Sequence, residues 1–523
     1  MPSFTVSRRS VLAGGAVLAT TLSAPAIAME RAVQTRAGMV RGMRGDGAFA
    51  FLGLPYGAPT GGANRFRPPQ PAEPWGGVRE ANAFGPRCFQ LPDPARGPFA
   101  SWRDVTEQSE DCLNLNLWTP ACDDARRPVM VWMHGGALST NSGSRNVIDG
   151  TRLAARRDVV VVTVTHRLNL FGYLHLEEFG PEAANVGQQD LVAALQWVRD
   201  NVATFGGDPD NVTIFGESGG GTKVCGLLEM PAAQGLFHKA ILQSGFGTLT
   251  QTREEGERIG RQLMMVLGAS RAEELRELPA ERLLAGLGEI THGNPVAGPL
   301  MVADGDVVPA LPLPGEIPAI ASDIPMIVGH TATETSVLFP PAGVFEFGWD
   351  EAVAALDRQF DGSAAMVDGF RRLRPQASPT DVTLMITTIV MMARNARRLA
   401  DARATAPGAN AYAYLFDWGT PIEDGRLGSP HAIDVPLVFD NVAAGVSMYG
   451  EGAAEAQRVS DMMTAAWTAF ARTGVPVAAG IPEWPAYATD RRATMIIDTE
   501  WRVADDPWGA EQALVAEHLR DGG

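Results

Sequence analysis

The chain has 523 residues, 45% of them apolar and 20% charged, and a formal net charge of −17. That balance supports a sizeable core and excludes general disorder. So acidic a surface excludes a phosphate-backbone partner, and nucleic acid is not expected.

From the N-terminus, Ser7-Arg8-Arg9-Ser10-Val11-Leu12 is a twin-arginine pattern. An apolar run from Val11 to Leu22 follows, and then the cleavage signal Ala26-Ile27-Ala28. The run is about a dozen residues against the roughly 20 that span a bilayer, so residues 1–28 read as a removable signal peptide rather than an anchor. The expectation is export from a bacterial cell to the periplasm or the medium. No later apolar run reaches spanning length, so no stable membrane anchor is expected. Cys88, Cys112, Cys122 and Cys225 are too few for a disulfide scaffold but permit one or two bridges in an oxidising compartment, with Cys88 and Cys112 as the candidate pair.

Pro128 to His134 and Val159 to Val164 are short continuous apolar runs, as expected of strands buried on both faces of a parallel sheet. Between these strands, His134-Gly135-Gly136-Ala137-Leu138 is a Gly-rich loop leaving a strand, whose N–H groups can point at a substrate oxygen. Asp190 to Phe205 has helical spacing, with Leu191, Leu195, Trp197, Val198 and Val202 on one face and Gly206-Gly207 as its stop. A further strand, Val212 to Phe215, runs into Gly216-Glu217-Ser218-Gly219-Gly220. Strand, sharp turn and helix make this a nucleophile elbow, which lifts Ser218 Oγ to the top of the sheet.

Further strands are predicted at 240–242, 325–328, 412–416 and 494–497, with a helix over 457–472. The alternation predicts an α/β chain with a mostly parallel central sheet. No linker divides it, so residues 29–523 form one catalytic domain, with helical cap or regulatory insertions around 250–400. Only Lys223 and Lys239 are lysines, which reads as coding bias.

A serine nucleophile needs a base, a carboxylate to orient the base, and donors for the oxyanion. Of eight histidines, His431 lies in a late turn-rich stretch, Gly428 to Asp434, whereas His518 is near the C-terminus. Order along the chain in an α/β-hydrolase places the acid between Ser218 and His431. Glu334 follows the strand at 325–328; Asp304 and Asp306 compete, but sit in a D-G turn that reads as structural.

Phe51 to Tyr56, Arg65 to Pro69, Glu110 to Asn116, Phe205 to Pro209, the Gly216 elbow and Trp484 to Tyr487 together resemble the signatures of type-B carboxylesterases, the family of p-nitrobenzyl esterases and cholinesterases. The resemblance covers the mature chain and implies an α/β-hydrolase fold. It also implies Ser218 as nucleophile, Glu334 as acid, His431 as base, and the N–H groups of Gly136, Ala137 and Gly219 as oxyanion donors, with a Cys88–Cys112 bridge. Three departures stand out. Gly135-Gly136-Ala137 replaces a triple glycine, Thr333-Glu334-Thr335 replaces Asp-Glu-Gly, and Gly219 replaces a frequent alanine.

The expected function is hydrolysis of small to medium, apolar carboxylic esters through an acyl-enzyme, without metal or organic cofactor, by a monomer or homodimer. The alternatives are a carbamate, amide or thioester hydrolase on the same machinery, or a non-catalytic cholinesterase-like binding protein.

Overall fold

The computed structural model describes residues 31–92, 96–245, 249–309 and 315–520. The signal-peptide expectation for residues 1–28 lies outside the described residues. An antiparallel N-terminal portion comprises β1 (Arg31–Gln34), β2 (Met39–Gly45), β3 (Ala48–Pro55) and β5 (Asn114–Thr119), with β4 (Val78–Glu80) beside β2. Next come β6 (Arg127–Met133), β7 (Val160–Thr165), β8 (Gly207–Glu217) and β9 (Lys239–Gln243). A separate two-stranded pair follows, β10 (Thr250–Gln251) with β11 (Met301–Val302). The main sheet closes with β12 (Met326–Thr331), β13 (Ala411–Phe416), β14 (Ala493–Ile497) and β15 (Arg502–Asp505). Its path is β1-β2-β3-β5-β7-β6-β8-β9-β12-β13-β14-β15, parallel from β7 through β14.

The central strands read as continuous apolar runs because both faces are covered. Along β6, Val129, Val131 and Met133 pack into the core on one side of the sheet, while Met130 and Trp132 pack into the core on the other. Burying each such side chain contributes about 1.5–3 kcal/mol relative to exposure. The helix predicted over 190–205 is Val186–Asn201, continued by a tight turn at Val202–Phe205.

Helices Arg253–Leu267 and Ala280–Ile290 precede β12, and Trp349–Leu356, Ser363–Leu373, Pro379–Thr388 and Arg394–Thr405 follow it. The stretch expected as a helical insertion is therefore two groups on either side of a strand of the main sheet. Local chemistry starts two of these helices: the Thr252 and Ser378 hydroxyls each accept the N–H three residues on, from Glu255 and Asp381, whose carboxylates reach back.

From β6 the chain crosses to β7 on one side and then returns to β8 on the other. Such a reversal of strand order opens a crevice at the carboxyl ends of the two strands. Met133, ending β6, pairs in register with Gly216 of β8, so the Gly-rich loop and the elbow leave the sheet side by side.

Candidate active site

Ser218 sits between β8 and the helix Gly219–Glu229 with φ 58° and ψ −126°, a conformation that costs a non-glycine residue about 1–3 kcal/mol. The surroundings hold it there: its N–H donates to Gln243 O at 2.9 Å and its carbonyl accepts from Thr222 N at 3.1 Å. Two flanking glycines are steric necessities. A Cβ on Gly220 would lie 1.9 Å from Met133 O, and one on Gly219 would lie 2.0 Å from Ala137 O.

The second contact gives a steric reason for one of the departures, the glycine at 219. Ala137 stands where the family pattern has glycine, at φ 53° beside Gly136 at φ 88°. Gly219 leaves the space that the Ala137 carbonyl occupies. The Ala137 backbone can come this close to the residue after the nucleophile because Gly219 carries no side chain.

The structure brings His431 and Glu334 together: His431 Nδ1 lies 2.5 Å from Glu334 Oε2. Glu334 Oε1 accepts from Ser244 Oγ at 2.5 Å and from Thr331 N at 2.8 Å. Burial by itself would raise the Glu334 pKa, but the adjacent imidazole and these donors outweigh it and hold the carboxyl below its usual value. Thr333, a departure from the family pattern, joins the acid turn to the histidine loop: its N–H donates to Ser429 O at 3.0 Å and its hydroxyl to Leu427 O at 2.6 Å.

The competing acids lie elsewhere. Asp304 accepts from Asn185 Nδ2 at 2.7 Å and from the N–H groups of Asp306 and Val308, so it organises its own turn. His518 lies on the last helix, its Nδ1 against Leu514 O.

Two carboxylates beside His431 escape a search for three catalytic roles. Glu217, the residue before the nucleophile, places Oε1 3.1 Å from His431 Nε2. Among the described residues no hydrogen bond joins His431 to Ser218 Oγ; such bonds often form only with substrate in place. Asp434, three residues after the histidine, is buried and accepts from Gln243 Nε2 at 2.8 Å and Tyr414 OH at 3.1 Å. Glu217 was visible as the variable position of the elbow motif. Asp434 had only its proximity to His431 as a signal.

Burial pushes the Glu217 carboxyl up to about 8 and the Asp434 carboxyl up to about 6. Burial pulls His431 the other way, but Glu217, Glu334 and Asp434 together outweigh it and raise the imidazole. A base must be neutral to accept a proton, so activity appears as pH rises through the histidine pKa. Where Glu217 is ionised it favours the protonated imidazole, and an amide in its place removes that support. Glu217→Gln is therefore expected to move the acid limb of the kcat/KM profile to lower pH, and an unmoved limb would mean that Glu217 does not act on His431.

Ser218, His431, Glu217 and the loop Gly135 to Ala137 line one cavity of about 520 Å³. Its walls include Phe99, Trp102, Leu338, Phe339, Met391 and Met392, with Arg96 and Arg145 as the cationic members. Met391 and Met392 lie in a π-helical turn, Ile389–Ala393, an irregularity frequent at functional sites. From the Met-containing stretch at 385–392, Met391 and Met392 reach the cavity wall.

The expected Cys88–Cys112 bridge is not formed. All four cysteines are free in the structure, with Cys88 and Cys112 both buried. A bridge requires oxidation, and position in the chain does not record redox state. Among the described residues no group of His, Cys, Asp and Glu is arranged to hold a metal, and no helix is long and apolar enough to cross a membrane.

The profile of the carboxylesterase family matches residues 29–515. The para-nitrobenzyl esterase of Bacillus subtilis is 35% identical over 485 residues, covering 91% of this chain and 96% of its own. The phenmedipham hydrolase of Pseudarthrobacter oxydans is 35% identical over 490 residues, covering 89% and 94%. A crystal structure of a Geobacillus stearothermophilus carboxylesterase superposes with a TM-score of 0.81 at 38% identity, covering 92% of this chain and 99% of that one.

Proposed function

The chain belongs to the carboxylesterase family and is a carboxylic ester hydrolase of the α/β-hydrolase fold, and on that premise we propose a Ser218–His431–Glu334 triad acting through an acyl-enzyme. The observation that carries this is the 2.5 Å contact between Glu334 and His431 Nδ1, which leaves Nε2 on the other side of the ring, 3.1 Å from Glu217 Oε1, in a residue that lines the same cavity as Ser218. In the first step Ser218 Oγ attacks the ester carbonyl as Nε2 takes its proton. The N–H groups of Gly136, Ala137 and Gly219 stabilise the oxyanion, and the imidazolium returns the proton to the departing alcohol. Water, deprotonated by His431, then repeats the sequence on the acyl-enzyme and frees the acid. Ionised Glu334 keeps Nδ1 protonated and stabilises the imidazolium.

The apolar walls support small to medium, mainly apolar esters as substrates. The twin-arginine pattern supports export with removal of residues 1–28. The test uses enzyme recovered from the periplasmic or secreted fraction, assayed on p-nitrophenyl acetate, butyrate and octanoate beside Ser218→Ala. The enzyme is expected to begin at Met29 and to show Ser218-dependent turnover, with at least one longer acyl chain outperforming acetate in kcat/KM. Turnover unchanged in Ser218→Ala would overturn the mechanism, acetate as the best substrate would overturn the apolar preference, and an intact leader would overturn cleavage.

A further inference from the structure

Arginine supplies nearly all the positive charge of this chain, and Lys223 and Lys239 are the only lysines among 43 basic residues. An exposed cation on such a surface is arginine almost without exception, so a lysine marks a place where the compact ammonium has a use. Lys239 is held at the edge of β9 by Asn211 Oδ1. Lys223 lies on the helix that begins at the nucleophile, is fully buried (0% exposed), and directs Nζ to the carbonyl oxygen of His134 at 2.8 Å. His134 is the residue from which the Gly135-Gly136-Ala137 loop departs.

The loop needs such an attachment. Gly136 and Ala137 are consecutive residues at positive φ, 88° and 53°, and for Ala137 this conformation is strained. Strained backbone persists where its surroundings over-determine it. Within the loop, Gly136 O accepts from Ser139 N at 3.2 Å and Thr140 N at 3.0 Å, which holds the far side. On the near side, Lys223 ties the His134 carbonyl to the helix that carries Ser218. The same helix thereby sets both the nucleophile and the direction in which the loop leaves β6.

The neighbourhood fits a cation kept for position. Across from Lys223, the His134 and His166 rings lie 5.1 Å apart. Both imidazoles are held well below their usual pKa, first by burial and then by the Lys223 charge, and are neutral. Arg145 acts on His134, and Arg167, itself paired with Asp190 at 2.6 Å, acts on His166. Among the described residues no carboxylate pairs with Lys223, and burial brings its pKa down to about 7. A buried lysine without a carboxylate, whether it keeps its proton or gives it up, is a destabilising choice for a scaffold.

We propose that Lys223 is a positioning residue of the oxyanion loop, holding the His134 carbonyl so that the N–H groups of Gly136 and Ala137 stay aligned on the ester oxygen attacked by Ser218. This rests on the acyl-transfer reading above. The test compares wild type, Ser218→Ala, Lys223→Met and Lys223→Gln on p-nitrophenyl butyrate, with thermal midpoints and with inhibition by a trifluoromethyl ketone, which forms a tetrahedral adduct with the serine. Loss of one oxyanion donor lowers kcat by about 100- to 1000-fold, and a loosened loop should lose less: Lys223→Met is expected to lower kcat about 10- to 100-fold. KM is expected to stay within about threefold, affinity for the ketone to fall with kcat, and the thermal midpoint to hold or rise as the buried amine is removed. Lys223→Gln keeps an N–H donor and is expected to recover part of kcat; should the Met variant fail to fold, the Gln variant carries the same comparison against wild type.

Turnover in Lys223→Met equal to wild type would overturn the proposal while leaving the Ser218 mechanism standing. So would kcat falling only in step with the thermal midpoint in both variants. Absence of Ser218-dependent turnover in wild type would overturn the underlying mechanism instead.

Discussion

His431→Ala is expected to lower kcat on p-nitrophenyl esters as far as Ser218→Ala does, by at least about 10⁴-fold, and the double variant to lose no more than either alone. The reason is that attack by Ser218 Oγ and acceptance of its proton by the imidazole are one event. A serine hydroxyl without a base is no better a nucleophile than water, and an imidazole without the serine has no proton to accept. Neither change should unfold the chain, because Ser218 is held through backbone contacts to Gln243 and Thr222, and the His431 loop through Thr333 and Ser429. Steady-state kinetics with far-ultraviolet circular dichroism on the three variants decides it. A His431→Ala enzyme within about tenfold of wild type would remove His431 as the base.

Glu334→Gln is expected to fold normally and lose about 10³- to 10⁴-fold in kcat, the scale on which a misassigned imidazole tautomer costs a triad its base. A carboxylate accepts from His431 Nδ1, Ser244 Oγ and Thr331 N together, as the distances of 2.5, 2.5 and 2.8 Å show. An amide of the same shape offers one accepting atom and one donating group, so either Nδ1 loses its acceptor or the Ser244 and Thr331 donors do. The measurement is kcat against pH for Glu334→Gln beside Asp304→Asn. Asp304→Asn should leave kcat near wild type, because Asp304 is occupied by Asn185 and its own turn. A large loss in Asp304→Asn with little in Glu334→Gln would move the acid.

Glu217 and Asp434 bear on the size of that loss. Two buried carboxyl groups contact the imidazole and a third, Asp434, acts on it electrostatically; burial favours the protonated form of Glu217 and Asp434, while the imidazole and hydrogen-bond donors keep Glu334 charged. Glu334 alone contacts Nδ1, whereas Glu217 contacts Nε2, the atom that must receive the serine proton. Glu217 cannot replace Glu334 as orienter from that side. It can set the pH at which the imidazole becomes a base.

Much of the fold was legible in the residues because its causes are local or periodic. Val129 to Met133 and Val160 to Val164 alternate between two covered faces, and a run buried on both sides has no choice but to be apolar throughout. Gly216 and Gly220 announced a close backbone crossing, and the crossing is there, against Met133. Chain order placed acid and base after the nucleophile, and Glu334 and His431 are in contact.

The rest needed the folded chain, because it depends on distances between residues far apart in sequence. Lys223 reads in the sequence as an effect of coding bias, and only the packing of its helix against β6 brings Nζ to the carbonyl at the root of the loop. Gly219 and Ala137 read as separate departures from a pattern until the sheet register sets one against the other. Whether Cys88 and Cys112 are thiols or a bridge, and which side of the imidazole Glu217 faces, follow from packing and chemical state. Sequence by itself determined which residue types could do the chemistry and the order in which the chain presents them, since strand periodicity, turn sterics and side-chain chemistry are local properties. Tertiary structure decided which buried charges touch, because the energy of a buried charge is set by what lies within a few ångströms of it, whatever its position along the chain.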